Sequence, residues 1–334
     1  CRSALAEGNS CVPCRVSANA DRQPDLWRAS LQGRVRGVAF KTTSPARIIP
    51  TDGTYELLPT NIDFGQGSIR LAGEYGEGFK VQSRLDSVDL AVVNAFSPGL
   101  GVGGKATGSL DFTQATFASF PTADARMQIA NFTRTTAVSV SQPVHVNFVG
   151  QLQPSGGAAR AVIRRRGSVI GRMNIGLTPL PPGSGRWMTR LLEAPLSGGI
   201  RYNGPADKVF SLTGQPDQRL SGALGVAADF SGRVSAPQLK GIVRANDLTY
   251  EHQAYGTRLA NMVLRGRFTG DRLEIEEMKA SAGDGTVSAT GVVSLAADRG
   301  YPMDVKVEMD KARLASSNAI DTTATGSLSL TKTA

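Results

Sequence analysis

The chain has 334 residues, of which 40% are hydrophobic and only 6% aromatic, with 38 glycines and 17 prolines. This composition excludes a disordered chain, which lacks the apolar surface to fold, and it does not favour a thick aromatic core. The formal charge is +9, but the basic residues are spread along the chain. No nucleic-acid partner is therefore expected, because such binding needs basic groups gathered on one face.

The ends of the chain indicate an internal fragment of a longer protein. It starts at Cys1 and stops inside the strand-like stretch TGSLSLTKT (325–333). No apolar run approaches the ~18 residues that a membrane-spanning helix needs, and no charged-then-apolar leader is present. Any leader or membrane anchor is expected outside this window.

Three cysteines lie near the start of the chain: Cys1, Cys11 and Cys14. The last two form a lone CVPC, whereas a structural zinc site usually needs four ligands, and His145 and His252 are distant in sequence. A redox pair would need a thioredoxin-like βαβ context, which the pattern does not show. A local disulfide or free thiols is the favoured interpretation, zinc or redox chemistry is the alternative, and no cofactor is predicted.

Strands with period-2 alternation, bounded by Gly, Pro, Asn or Asp, dominate the rest of the chain. In chain order the predicted strands include 31–40, 68–75, 79–88, 105–112, 125–132, 137–141, 144–152, 160–166, 168–177, 198–204, 209–214, 221–234, 239–250, 261–270, 273–278, 282–295 with its glycine turn, and 303–309. Helical periodicity is convincing only over 88–96 and 186–194, and both stretches are too short to cover a long sheet. Among the Pro/Gly-rich bends, 179–185 is the best place for a subdivision of an otherwise continuous, repetitive chain.

The stretch AGDGTVSATGVVSL (282–295) shows the pattern most clearly. After a glycine turn, apolar residues and Gly291 occupy every second position, and mostly polar residues lie between them. A sheet of such strands has one apolar face, and the candidate residues for it are Ile69, Leu71, Val146, Phe148, Leu273, Ile275, Val287, Ala289, Val293, Leu295, Val305, Val307 and Met309. The alternation alone leaves two packings open: a sandwich whose two apolar faces cover each other, and an open groove.

A glycine-rich stretch imitates a nucleotide-binding loop. Gly99 to Gly104 satisfies GxGxxG, and Lys105 follows as in a P-loop. The residues after it alternate like a strand, and Ala106 stands where Ser or Thr would hold magnesium, so we interpret the match as a decoy.

The sequence does not predict an enzyme. Neither His145 nor His252 has an obvious Ser and Asp partner pattern, and Glu274 and Glu276 are expected on the water-exposed side of LEIEEM. The basic run Arg164–Arg166 is interpreted as solvated strand surface, with contact to an anionic headgroup or a nucleic acid as the alternative.

Residues 220–295, from LSGALGVAADFSG through LKGIVRANDLTY and YGTRL to GRFTGDRLEI and AGDGTVSATGVVSL, resemble the TamB family. The stretches TYELLPTNIDFGQGSIRLAGEYG (54–76) and LDSVDLAVVNAFSPGLGVGGKATGSLDF (85–112) also fit, and the likeness is weakest over 1–45. Each piece is degenerate alone, and their order is what makes the resemblance specific.

This resemblance implies an AsmA-like, bridge-like lipid transfer protein of the bacterial periplasm, anchored to the inner membrane by a helix that this chain does not contain. The implied fold is all-β: an elongated, curled, mostly antiparallel β-sheet (a β-taco, or repeating β-groove) with one or two short helices. The implied function is to carry phospholipid between the inner and outer membranes and to support outer-membrane protein assembly. Its partners would be phospholipid acyl chains and the outer-membrane barrel TamA, the latter through regions expected outside this chain. The alternative is a structural β-solenoid or β-sandwich module that binds proteins and no lipid.

Overall fold

The computed structural model describes residues 14–35, 38–96, 100–135, 140–178, 186–210, 217–296, 299–316 and 321–333. By its contacts the chain divides into two compact units, each considered separately below. Unit 1 comprises Cys1–Thr133, Pro143–Gly157 and Ser184–Trp187; unit 2 comprises Arg134–Gln142, Ala158–Gly183 and Met188–Ala334. The predicted subdivision at 179–185 lies outside the described residues, as do Cys1, Cys11 and the side chain of Cys14.

Strands make up most of both units, which confirms the prediction of an all-β fold. The first ten are β1 Cys14–Arg22, β2 Trp27–Val35, β3 Val38–Thr42, β4 Ala46–Thr51, β5 Thr54–Asp63, β6 Ser68–Tyr75, β7 Phe79–Asp89, β8 Val102–Gln114, β9 Thr122–Arg134 and β10 Val144–Gln153. The others are β11 Gly156–Arg165, β12 Ser168–Leu177, β13 Leu196–Pro205, β14 Gln218–Gly232, β15 Pro237–His252, β16 Thr257–Gly270, β17 Arg272–Ala282, β18 Gly285–Ser294, β19 Met303–Ser316 and β20 Asp321–Lys332. Strands form here because alternating apolar and polar side chains suit a pleated, half-buried surface.

Within the described residues, three short helices interrupt the strands, whereas one or two were predicted. Helices α1 Ala91–Phe96 and α2 Trp187–Leu192 lie inside the two stretches for which helical periodicity was predicted. The third, α3 Ala206–Phe210, has only five residues and falls between β13 and β14. A helix of that length shows too little periodicity for a sequence pattern to reveal it.

Unit 1 is an antiparallel meander in which sequence neighbours pair. The pairs run β4–β5, β5–β6, β6–β7 and β7–β8, with β1–β2 at one end and β9–β10 at the other. Strands β3 and β4 both pair with β2 and with β5, so together they fill one broken strand position. An aromatic cluster packs on this unit, with the Phe120 and Trp187 rings edge-on at 6.3 Å between centroids.

Unit 2 is a longer antiparallel meander from β12 to β20, each strand pairing with the next. One of its two-residue connections is the hairpin between β17 and β18, where Ala282 lies opposite Gly285. Only Gly283 and Asp284 remain in the loop, and Gly283 has a φ of +64°. A two-residue hairpin loop needs such a positive φ, so the glycines of AGDG set the register of both strands.

β-Bulges shift the register within unit 2. Three of them occur at Gly222/Gly225 between β14 and β15, at Ala245/Leu248 between β15 and β16, and at Ala260/Val263 between β16 and β17. Within the third, Asn261 has a φ of +50°, a conformation that asparagine tolerates better than most residues. Each bulge adds a residue to one strand and increases the local twist.

The unit 2 sheet curls on itself, as predicted for the fold. The hydroxyl of Thr257 in β16 donates a hydrogen bond of 2.6 Å to the carbonyl oxygen of Leu314 in β19. In a flat sheet, strands three places apart lie ~14 Å from each other. Ala282, Val287 and Ala312 form a buried cluster inside this curl, so the roll is closed by apolar packing as well as by the hydrogen bond.

Gly291 provides the close approach between β18 and β19. Its φ is +150°, and an added Cβ would lie 2.2 Å from the carbonyl oxygen of Asp304. Real Cβ atoms do not come that close to a backbone oxygen, so any side chain at this position would push the two strands apart. Gly326 in β20 also has a positive φ, +142°, but an added Cβ there would meet nothing within 4 Å.

We predict that Gly291→Ala lowers the free energy of unfolding by ~3 kcal/mol, whereas Gly326→Ala lowers it by ~1 kcal/mol. The smaller loss reflects the strained φ alone, and the larger one adds the displacement of β19. Urea denaturation followed by circular dichroism measures both. Equal losses in the two variants would mean that the approach to Asp304 contributes nothing.

Candidate functional site

One side of the unit 2 sheet, which we call the apolar face, carries apolar residues in register across successive strands. Residues directly opposite each other in an antiparallel pair point to the same side. The registers therefore place the following residues together on this face: Tyr202, Val226, Val243, Leu264, Phe268, Leu273, Ile275, Met278, Ala289, Val293, Met303, Val305 and Val307.

The apolar face brings together eight of the residues selected from the sequence. Leu273 lies opposite Val293, Gly291 lies between Ile275 and Val305, and Met309 lies opposite Val287. The eight are Leu273, Ile275, Val287, Ala289, Val293, Val305, Val307 and Met309. Strands β17, β18 and β19 thus form a continuous apolar surface.

The other five selected residues do not belong to these rows. Leu295 follows the end of β18, where its N–H donates to the carbonyl oxygen of Asp271 at 2.8 Å. Four lie in unit 1: Ile69, Leu71, Val146 and Phe148. There, Leu71 lies opposite the buried polar residues Thr60 and Ser83.

In unit 1, Val146 and Phe148 lie opposite Ile129 and Met127, and Ile69 lies between Ile62 and Leu85. These are short apolar rows within the unit 1 meander. They share its alternation but not the extended register of the apolar face.

The apolar face is sealed at one end and partly open at the other. Leu248, Val287 and Ala289 are buried, with 0%, 4% and 4% of their surface exposed. Phe268 and Val293, nearer the hairpin between β16 and β17, are only half-buried. Toward that hairpin the face could therefore accept an apolar ligand, whereas the sealed end is ordinary core.

The alternation in the sequence did not predict several residues of the buried cluster around Leu248. Leu248 and Met262 lie opposite each other and pack with Leu224 and Val243. Because the bulge at Ala245/Leu248 changes the parity within β15, Val243 and Leu248 share a face although they are five positions apart. The Asn and Asp inside LKGIVRANDLTY are the signal that could have indicated this bulge.

Helix α3 covers a small part of the apolar face. Ala206 is fully buried in the same cluster as Leu224, and the phenol of Tyr202 donates to the carbonyl oxygen of Pro205 at 2.6 Å. Burial, reinforced by the negative charge of Asp207, raises the pKa of Tyr202. Burial also raises the pKa of Tyr250.

We call the opposite side of the unit 2 sheet the polar face. Its carboxylates form hydrogen bonds or ion pairs with neighbouring side chains. Glu274 accepts from the Thr269 hydroxyl at 2.8 Å, and Glu276 pairs with Arg267 at 2.9 Å. A hydrogen bond from Lys279, together with its charge, lowers the pKa of Glu277. Exposed ion pairs of this kind contribute only ~0–1 kcal/mol each, so they mark a solvated surface.

The glycine-rich stretch leads into a strand, as predicted. Strand β8 begins at Val102, directly after Gly101, and includes Gly104. A phosphate-binding loop leads into a helix instead. Gly99 lies outside the described residues. In the basic run, Arg166 has a φ of +48° and forms the turn between β11 and β12 with Gly167.

In the part of the chain that the structure describes, the His, Cys, Asp and Glu side chains do not gather in groups of three or more that could hold a metal ion. Among the helices of that same part, none is both long enough and apolar enough to cross a bilayer.

No protein-family model, curated protein or solved structure matches this chain. The function proposed below therefore depends on the geometry of the sheet and on the pattern of the sequence.

We predict that Val287→Asp and Val293→Asp differ strongly in stability. At Val287 the carboxylate would be buried in the closed cluster, so the free energy of unfolding should fall by more than ~4 kcal/mol. At Val293 the half-open surface lets water reach the carboxylate, and the loss should stay below ~2 kcal/mol. Chemical denaturation measures both, and an equally large loss at Val293 would show that the whole face is closed core.

The raised tyrosine pKa values predict a loss of stability in alkali. The unfolded chain releases the phenolic protons near pH 10.0, whereas the folded state retains them to higher pH. The contribution of the two protonated phenols to the free energy of unfolding is therefore complete below pH 10.0, and it is lost as the pH rises toward the folded pKa. Tyr202→Phe and Tyr250→Phe should each flatten this fall in unfolding free energy, as measured by denaturation across the alkaline range.

A slope of unfolding free energy against pH that stays unchanged in both Tyr202→Phe and Tyr250→Phe would contradict a role for burial of these two phenols.

Proposed function

We propose that this chain is a groove segment that binds phospholipid acyl chains along its apolar face and carries them between membranes. The observation that supports this most is the continuous row of half-buried apolar side chains at the open end of the apolar face. Phe268, Leu273, Val293 and Met303 lie opposite one another across four strands and remain partly accessible. A surface of this kind matches the chemistry of an acyl chain, which makes no hydrogen bonds.

The energetics suit transfer better than storage. An acyl chain gains ~0.8 kcal/mol for each CH₂ group that leaves water, but it makes nearly the same gain in a bilayer. Exchange between a membrane and the apolar face would therefore be close to isoenergetic. The half-buried state of Leu273 and Val293 leaves part of the ligand unsheltered, which favours its release.

The resemblance of residues 220–295 to the TamB family supports the same proposal. It adds a periplasmic location, an inner-membrane anchor outside this chain and a partnership with TamA in outer-membrane protein assembly. These additions depend on the resemblance alone, because the geometry of the apolar face bears only on the acyl chain. We propose no catalytic step for this face, whose members are apolar.

A structural interaction module without lipid is the second candidate. The sealed end of the apolar face favours it, because Leu248, Met262 and Ala280 pack there as an ordinary core. If that packing extended over the whole face, no acyl chain could enter and the sheet would serve as a rigid scaffold.

Two neighbouring valines of β18 test the proposal. Val293 lies on the apolar face opposite Leu273, and Val292 lies on the polar face opposite Glu274. A photo-crosslinking amino acid at position 293 should form adducts with phospholipid in cells, and the same residue at position 292 should not. Mass spectrometry of the purified adducts identifies the lipid.

Native mass spectrometry of the unmodified protein completes the test. Phospholipid should co-purify with the wild-type chain and should be reduced several-fold in Val293→Asp but not in Val292→Asp. A lipid-free wild-type protein, or equal adducts at both valines, would favour the structural module.

A further inference from the structure

A basic cavity lies among the strands at the other end of unit 2. Its volume is about 1090 Å³, and its lining includes Arg172, Arg201, Arg244 and Arg265 with a single carboxylate, that of Asp247. We call these four arginines and the space between them the arginine basin. Its volume lies just above the ~300–1,000 Å³ that is common for small-molecule sites.

The pairing of the strands brings the four arginines of the basin together. Arg172 lies directly opposite Arg201 on β12 and β13, and Arg244 lies directly opposite Arg265 on β15 and β16. Strand β14 runs between the two pairs and contributes only small residues there: Ala227 opposite Arg201, and Gly225 opposite Arg244. The two pairs of arginine side chains thus lie on either side of β14, which carries only small residues at these positions.

Among the described residues, two of the four charges are paired with carboxylates and two are not. Arg201 is held by Asp229 at 2.6 Å and by the carbonyl oxygen of Ala228 at 2.9 Å, and Arg265 lies 3.6 Å from Glu277. Both of these carboxylates lie outside the lining. Arg172 and Arg244 form no ion pair with any residue in the described ranges.

An arrangement of this kind costs stability unless a counter-charge is supplied. Like charges directly opposite each other on neighbouring strands repel, and each of the two opposed pairs contains one arginine, Arg172 or Arg244, without a carboxylate partner among the described residues. The planar guanidinium group matches the oxygens of phosphate and binds them through two parallel hydrogen bonds. An anion with several oxygens between Arg172 and Arg244 would remove the repulsion.

We propose that the arginine basin binds a phosphate-bearing molecule, with Arg172 and Arg244 as the binding residues and Arg201 and Arg265 as fixed positive neighbours. The amides of Asn203 and Asn246 also line the space and supply further donors.

Ile242, 39% exposed and part of the lining, offers contact to an apolar substituent of the ligand. It alternates with Val243, whose buried side chain belongs to the apolar face. The arginine basin therefore opens on the opposite side of the sheet, and its occupancy does not depend on acyl-chain binding.

The first measurement is calorimetric titration with glycerol 3-phosphate at moderate ionic strength. Saturable binding by the wild-type chain should weaken at least tenfold in Arg172→Gln and in Arg244→Gln. Arg258→Gln is the matched control: it removes the same charge from β16 but lies outside the basin, and binding should change less than twofold.

A second arm identifies the source of the phosphate. Co-sedimentation with phosphatidylcholine vesicles, with and without phosphatidylglycerol, tests a lipid headgroup. Vesicle binding that needs phosphatidylglycerol and both arginines, without binding of the soluble probe, assigns the basin to a headgroup. Binding of glycerol 3-phosphate assigns it to a soluble organophosphate.

Two outcomes would overturn the proposal. One is the absence of saturable binding in both arms. The other is an equal loss in Arg258→Gln, which would mean that only the overall positive charge of the chain attracts the anion.

Discussion

The antiparallel hydrogen-bond register between neighbouring strands fixes where every side chain of unit 2 lies. A slip of one residue in any pair would turn that strand's apolar residues to the polar face. Val243 illustrates the constraint: it is buried on the apolar face, while its neighbours Ile242 and Arg244 line the arginine basin on the other side. The same register therefore produces both surfaces, and neither can change without the other.

Glycines and bulges maintain this register through a curled sheet. Gly291 lets β19 come close to β18, and the loop of Gly283 and Asp284 starts the pairing of β17 with β18 at a defined residue. The contact between Thr257 and Leu314 then closes the roll. Curvature buries Val287 and Ala312 without a covering helix, which explains how a chain with so few helices shelters part of its apolar surface. Farther from this contact, the side chain of Val293 stays half-buried.

Much of the fold follows from the sequence because period 2 is a local property. The alternation in 282–295, its glycine turn and the two short helical stretches could all be predicted from residues next to one another. Alternation alone does not predict the bulges, because a regular strand would place Val243 and Leu248, five positions apart, on opposite faces. Helix α3 is too short to leave a pattern.

The candidate sites were predictable only in part, for the same reason. Alternation shows which side of β18 is apolar, but it does not show that Val287 is buried whereas Val293 is accessible. That difference comes from the curl and from β19. The arginine basin has no local signature at all, since Arg172 and Arg265 are distant in sequence and only the pairing of five strands brings them together.

The bulges of unit 2 also bear on how such a chain can evolve. Each one holds an extra residue that the partner strand does not match, so the sheet already contains insertions that it has absorbed. At Ala245/Leu248 the side chains return to the correct face within the same strand. Gains or losses of one residue at these places reorient a short segment and leave the neighbouring pairings intact. A repetitive β-chain of this kind can therefore drift in length as well as in composition while its lining stays continuous, and relatives that share the architecture need not share an alignable sequence.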